Sequence, residues 1–474
     1  MRIIINAWPY VLAGLLAAPV SSAFAVEDVS SNLVRMPVAE QRLSARDLAY
    51  VQRQREDRSI DWVTLVRIDP RVLELAKFEI DLHDRKVVVR KQALPESFGP
   101  RPDLWRGRAA LPGDPPQWDP GTLRDVRLYR LEGGGIRGSI YIGDIVYLIR
   151  PLSHGIHALI RQDLSRLHSE KDDVGDRSRP VKRPQPSSLK PSAVSESMQM
   201  ETVRVAVGYT AAALNGDPLE TMFADVKESI DVANESFTAS NIALRLELAA
   251  WADSAGYAES GNGSDIPAAL AALVEGPDGT LWLPHAARDG ENADLLAMAV
   301  GAGNDAICGQ AQQVGASKDT ALFVFKRGCL PSHTFAHEVG HLLGADHQPG
   351  AALDPPVFAY GHGFQRLPAE GVAGWSTLMA TDCPPQRCPR QNFWSSPLRQ
   401  HQGEAAGSVD THDNARVLTE NKARVAAFYP PPQATKGVRA GGAAPRYVRA
   451  AGPDGPDGRA MRAIAEEPRL RMPQ

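Results

Sequence analysis

The chain has 474 residues, 43 % hydrophobic and 23 % charged, with a formal net charge of -4. This composition is that of a globular protein, and the length exceeds one ordinary domain. So weak a net charge supplies no field for nucleic acid or an anionic membrane surface, and neither is expected as a partner. The four cysteines, Cys308, Cys329, Cys383 and Cys388, lie in the second half and form no CxxC pair. A structural zinc module is therefore not expected.

Residues 1–25 read as an export signal. Arg2 is followed by an apolar run from Ile3 to about Val20, and Ala23-Phe24-Ala25 fits the small-x-small cleavage rule. A membrane anchor is the competing reading. Pro9 and Pro19 interrupt the run and its end is alanine-rich, which favours cleavage. No other stretch is long and apolar enough to span a bilayer. Export predicts a secreted, extracellular protein with paired cysteines.

Residues 26–173 contain no cysteine and alternate apolar and polar positions, as in Lys77 to Leu82 and Ser139 to Ile142. This predicts a mostly β module. Residues 174–200 hold Pro180, Pro184, Pro186 and Pro191 with a basic cluster of Arg177, Arg179, Lys182 and Arg183. No apolar period survives there, so a linker open to processing is expected.

Residues 201–430 predict a second folded domain. Val203, Val205 and Val207 alternate as a strand. Asp217 to Ala239 has helical spacing, Ile242 to Leu248 is a strand, and Asp265 to Val274 a short helix. Ala293 to Val300 and Ala321 to Phe325 read as buried strands, with a more polar one from Cys308 to Val314. Asp413 to Phe428 reads as the last helix. This order predicts an α/β (α+β) domain on a mixed sheet. The Pro, Gly and Arg-rich tail, 431–474, is expected to be disordered.

The chemistry concentrates in His337-Glu338-Val339-Gly340-His341-Leu342-Leu343-Gly344-Ala345-Asp346-His347. Two histidines four apart share one helix face and can share one ion. Ser332 or Thr334 is placed to cap this helix. Gly344 can adopt the left-handed conformation that ends it and lets His347 swing back as third ligand. Three neutral imidazoles leave one tetrahedral position open, as catalytic zinc requires. Glu338 can act as general base on a water acidified there. Five fixed positions of these types need on the order of ten million start points for one chance match, so coincidence is set aside.

This HExxHxxGxxH segment resembles the metzincin zinc site. Trp375-Ser376-Thr377-Leu378-Met379-Ala380 resembles the methionine turn of that clan, which makes Met379 the residue packed under the ligand rings. Tyr360-Gly361-His362-Gly363-Phe364 and Cys388-Pro389-Arg390-Gln391-Asn392-Phe393-Trp394 resemble the reprolysin-like branch, and within it the bacterial peptidyl-Asp metallopeptidases. The likeness covers roughly Glu201 to Tyr429. It implies a metzincin catalytic domain, and because export of an active peptidase is hazardous and a cleavable basic linker separates the halves, the first module is expected to be a propeptide. The likeness also implies one catalytic zinc ion, with calcium left open, and cleavage of protein or peptide bonds with a preference for bonds before acidic residues.

Two positions depart from the pattern. Gln348 follows the third ligand where reprolysins usually carry Asp, which bears on support of the site. Thr381 stands where some metzincins carry a tyrosine, which makes a tyrosine ligand unexpected.

For substrate binding, the polar stretch Gly309 to Gln313, with Gln310 and Ala311 at its centre, is the candidate edge for strand addition. Arg390 is the candidate cation for an acidic side chain, with surface packing on Trp394 as its plainer role. Of three possible cystine pairings, Cys308–Cys329 with Cys383–Cys388 is preferred. His362 is expected to be structural, and His401 and His412 solvated. Asp103, Asp114, Asp144, His154 or His157 could close the metal site in an uncut precursor. Asp172, Asp173 and Asp176 offer self-cleavage positions. The competing functions are a broad-specificity protease and a non-catalytic binding module; an intact Glu338 speaks against the latter.

Overall fold

Period-two alternation from Ile60 onward builds the first module. The structure, a computed structural model, describes residues 40, 43–94, 101–111, 124–131, 134–167, 199–254, 256–301, 307–352, 355–370, 373–381, 383, 388–431, 446–450 and 461–464. The signal segment, all but the last two linker residues, Asp114, Asp172, Asp173 and Asp176 lie outside them. Among the described residues no helix is long and apolar enough to cross a membrane.

Helix α1 (Ala45–Glu56) is capped by the Ser44 hydroxyl, which accepts from Asp47 N. Strands β1 (Ile60–Arg67), β2 (Lys77–Asp81), β3 (Lys86–Lys91), β4 (Leu104–Ala110), β5 (Asp125–Arg130), β6 (Ile136–Ile142), β7 (Ile145–Pro151) and β8 (Ile156–Asp163) follow. They make one antiparallel sheet in the order β1-β8-β7-β6-β5-β4-β3-β2. Phe78, Ile80, Val89, Trp105, Leu128 and Ile140 form a core on one face. Val51 of α1 joins Val63, Val146 and Ile160 in a second cluster.

The second domain opens with β9 (Glu201–Tyr209), the short α2 (Ala211–Leu214) and the long α3 (Leu219–Ala239). Then come β10 (Leu244–Asp253), α4 (Asp265–Val274), α5 (Trp282–Gly290), β11 (Leu295–Val300), β12 (Gly309–Ala311), β13 (Leu322–Lys326) and α6 (Thr334–Leu343). Two small hairpins, β14 (Gln365–Arg366) with β15 (Trp375–Ser376) and β16 (Ser396–His401) with β17 (Glu404–Ala406), precede α7 (Asn414–Val425). Strands β9, β10, β11 and β13 are mutually parallel and β12 is antiparallel at the margin, so the sheet is mixed, as predicted. Helix α5 was not expected from the sequence. Its Trp282-Leu283-Pro284 start gives weak helical spacing, but Leu283 and Ala287 are fully packed against the sheet. The core on the other face joins Met222, Val226, Phe237, Phe323, Phe335, Leu342 and Leu418 of α3, β13, α6 and α7.

Part of the tail departs from the expected disorder. Strand β18 (Arg446–Ala450) pairs in parallel with β10, and β19 (Met461–Ile464) pairs with β18. The anchor is an apolar and aromatic pair inside a basic stretch. Val448 is buried, and the Tyr447 hydroxyl lies 2.8 Å from that of Tyr209.

His157 sits buried in β8, where its Nε2 accepts from Ile136 N at 3.2 Å. Burial lowers its pKa from 6.5 to about 4. Between those values the unfolded chain binds more protons than the folded one. The contribution is therefore intact above pH 6.5 and is lost as pH falls to about 4, at up to about 1.4 kcal/mol per pH unit. Urea titrations of a Glu338→Ala chain from pH 7 to 4.5 should show this slope, flattened by His157→Gln. An equal slope in both chains refutes the assignment.

Candidate metal centre

Helix α6 places the first two histidines. A 3-10 turn (Arg327–Ser332) runs into it through His333, whose φ of 69° makes it the N-cap. Neither Ser332 nor Thr334 takes that role; the Ser332 hydroxyl instead donates to Cys329 O at 2.8 Å. At the other end Gly344 has φ 108°, the left-handed conformation that a β-carbon disfavours. Ala345 N donates back to Gly340 O at 2.9 Å, closing the turn. The chain reverses there, and His347 returns over the helix.

The Nε2 atoms of His337 and His341 each lie 3.2 Å from Nε2 of His347. On the far side of each ring a carbonyl receives Nδ1: Leu378 O from His337 at 2.8 Å, Ala345 O from His341 at 3.0 Å and Ala351 O from His347 at 3.4 Å. A carbonyl only accepts, so each Nδ1 carries the hydrogen and each Nε2 turns a lone pair inward. Three converging lone pairs repel one another unless a cation lies among them. The donor set fits zinc, which takes imidazole nitrogen and four-coordinate geometry. Among the described residues, this trio is the one group of His, Cys, Asp or Glu with metal-ligand spacing.

None of the carboxylates or histidines suggested for closing the site joins it among the described residues. Asp103 pairs instead with Arg101 at 3.0 Å. His157 is held within the first module.

The neighbouring positions support the ligands. Met379 is fully buried, and its sulfur, with the Trp394 ring, fills the space a β-carbon on Gly340 would take. His362 donates from Nδ1 to His347 O at 2.8 Å, the structural role expected of it. His401 is not solvated. It is buried against the rings of Trp375 and Phe393, at 4.6 and 5.2 Å, because β16 runs back past the methionine turn. His412 is only partly buried and meets the Ser408 hydroxyl. The cystines are Cys308–Cys329 and Cys383–Cys388. The first joins the start of β12 to the turn before α6, and the second closes the loop behind Met379.

The two departures in sequence, Gln348 and Thr381, meet in space. Gln348 Nε2 donates to the Thr381 hydroxyl at 2.8 Å, and Thr381 N donates to Gln348 Oε1 at 2.9 Å. Gln365 Nε2 adds a bond to Thr381 O at 2.9 Å. The loop that carries the third histidine is thus tied to the methionine turn by an amide using both its donor and its acceptor. Neither residue suggested the other by spacing, since 33 positions separate them.

Arg390 lies on the wall beyond the turn. Its Nη1 donates to Ser332 O at 3.3 Å and Nη2 to Ala380 O at 3.4 Å, so it spans the start of α6 and the methionine turn. The Trp394 ring lies parallel to that of Phe237. Gln310 and Ala311 lie in β12 at the sheet margin, where the sequence placed them.

A helix bearing two of three histidines, a glycine reversal and a buried methionine turn define a zinc metallopeptidase of the metzincin kind. Residues 223–348 match the family described as Metallo-peptidase family M12B Reprolysin-like. The chain is 32 % identical over 377 residues to the peptidyl-Asp metalloendopeptidase of Stenotrophomonas maltophilia strain K279a, covering 77 % of this chain and 85 % of that protein. The protein of the same name from Xanthomonas campestris pv. campestris is 32 % identical over 302 residues, covering 62 % of this chain and 68 % of its own length. Among solved structures, metalloproteinase-II from Bacteroides fragilis aligns over 76 % of this chain and 93 % of its own at TM-score 0.36 and 14 % identity, too loose a likeness to bear on function. The chain belongs to the reprolysin-like metallopeptidases, in the group of these bacterial peptidyl-Asp metalloendopeptidases. It is a zinc endopeptidase.

Breaking the Gln348–Thr381 pair should loosen the third ligand. We expect Gln348→Glu or Thr381→Val to weaken zinc binding by about 10–100-fold. The readout is competition with a chromogenic chelator, with circular dichroism showing the fold retained. Unaltered zinc affinity in both variants would count against a supporting role for the pair.

Proposed function

We propose that the protein is a secreted zinc endopeptidase in which His337, His341 and His347 hold the ion and Glu338 is the general base. One observation carries the reading: three imidazole nitrogens face one point, two from the helix that also bears Glu338 and the third, His347, from the chain reversal after it, beside the sheet margin. When bound, zinc supplies Lewis acidity that acidifies water and polarises the substrate carbonyl. Glu338 takes the water's proton and passes it to the departing amine, so one carboxylate serves as base and then as acid. Its position relative to the margin is close. A β-carbon on Gly309 would come within 2.5 Å of Glu338 Oε1, so only glycine lets β12 approach the base. A substrate strand added along Gly309, Gln310 and Ala311 would bring its scissile bond past that carboxylate. Thr381 is committed to Gln348, so on the protein side the oxyanion would rest on backbone donors.

Preference for bonds before Asp is supported by the names of the relatives and by the place of Arg390. Its guanidinium sits between the start of α6 and Ala380, and a substrate carboxylate can replace the weaker pull of two carbonyls. Broad specificity is the second reading, favoured if those carbonyls hold Arg390 throughout.

The first module, followed by the linker at 174–200, serves as a propeptide. In the uncut chain His337, Glu338, His341 and His347 are fully buried. The module also borders the site: Gln162 Nε2 donates to Gly328 O at 3.2 Å, and the Tyr141 ring lies 5.6 Å from that of His333. Two buried cystines suit an oxidising compartment.

Peptide cleavage by the processed enzyme should vanish with a zinc chelator and return with zinc. Glu338→Ala should lower kcat by about 10²–10⁴-fold with zinc content unchanged; a smaller loss would assign the base elsewhere. Profiling on a peptide pool by mass spectrometry should show cuts before Asp, lost in Arg390→Gln. Retained preference in that variant would point to another cation or to a pocket read by shape.

A further inference from the structure

Alternation in β4, β5, β6 and β7 turns Arg106, Arg127, Arg137 and Arg150 to the same side of the first module's sheet. Arg53 of α1 and Arg101 before β4 join them. Opposite lie Asp217, just ahead of α3, and Asp225, Glu228, Asp231 and Glu235 along one face of it. Arg101 meets Asp231 at 3.0 Å, Arg106 meets Glu235 at 3.1 Å, Arg150 meets Asp225 at 3.3 Å and Arg53 meets Asp217 at 3.2 Å. Arg127 reaches Glu235, Arg137 reaches Asp225, and the Ser139 hydroxyl donates to Glu228. The Arg127 and Glu235 side chains are only 1 % and 3 % exposed.

Arg327 of the second domain also pairs with Asp217 and Asp225, whereas Asp231 and Glu235 meet arginines of the first module. Arg106 and Arg127 are direct cross-strand partners, a like-charge pair whose shared counter-ion, Glu235, is in the other domain. Four carboxylates three or four residues apart repel along α3. Burial raises the Asp231 carboxyl, while burial of Glu235 is outweighed by Arg127 and Arg106, which hold it below the ordinary range.

We infer that the acidic face of α3 is a docking surface for the arginine face of the first module, and that it holds the module between separate chains once the linker is cut. The inference rests on the reading of that module as a propeptide. Cutting the linker then does not by itself free the enzyme; the module must leave in a second, salt-sensitive step. Buried arginine–carboxylate contacts keep their geometry after the covalent link is gone, and two bidentate guanidinium pairs give the orientation.

The test uses the full chain carrying Glu338→Ala, with a specific protease site placed in residues 174–200. After cutting, size-exclusion chromatography at 50 mM and 1 M NaCl reports whether the two fragments travel together. Co-elution at low salt, with dissociation at least ten-fold easier at high salt, is expected. In Asp225→Asn/Glu228→Gln/Glu235→Gln the fragments should separate at low salt. The charge exchange Arg101→Asp/Asp231→Arg should restore binding lost in either single variant. Separation at low salt in the parent, or unchanged co-elution in the triple variant, overturns the inference. Activity of cut, Glu338-bearing protein distinguishes the two readings. A bound module on a fully active enzyme refutes the propeptide role and leaves the docking intact. A module that departs at low salt, with activity appearing on cutting, does the reverse.

Discussion

Everything in the catalytic domain answers to one demand: three imidazoles must turn their Nε2 atoms to a single point. Side-chain torsions alone do not secure this, since each ring can rotate about its bond to Cβ. The protein fixes them from behind, with one carbonyl per ring, and the three carbonyls come from different places. Leu378 belongs to the methionine turn, Ala345 to the reversal after α6, and Ala351 to the loop beyond His347. The turn, the reversal and the loop must therefore be positioned together before the ion can be held. Gly344, the Gln348–Thr381 pair and the Cys383–Cys388 link can all be understood as parts of that positioning.

This explains what could be read from the sequence and what could not. The histidine trio was legible because helix periodicity and one glycine relate its members over eleven positions. Met379 was legible through resemblance alone, because nothing in its local pattern distinguishes it from a core methionine. The Gln348–Thr381 contact was hidden although both residues stood out. Pairing across a fold leaves no periodic trace. The helix cap failed for a related reason. Ser332 and Thr334 are good cap types, but the tight 3-10 turn before them forced His333 into the left-handed region instead. His401 looked like a loop residue because its burial comes from rings distant in sequence.

Strands and helices with clean apolar periods were found within a few residues of their ends. Elements held by context were missed. Helix α5 has a proline in its first turn, and β18 lies among arginines, glycines and prolines. The acidic face of α3 drew no reading of its own, because the helical period rests on Met222, Val226, Ile230, Ala233 and Phe237. Only the sheet opposite, with its arginines on one side, shows that this face is covered.

Strand β18 has a consequence for how the catalytic sheet meets other chains. A sheet has two margins, and without the tail β10 would form the one opposite β12. Left bare, that second border would template pairing with neighbouring molecules, including their partly unfolded forms. Parallel pairing of Arg446 to Val448 against Ala250 to Ala252 occupies it. The tail thus covers β10 with β18 and moves that border of the sheet out to β19.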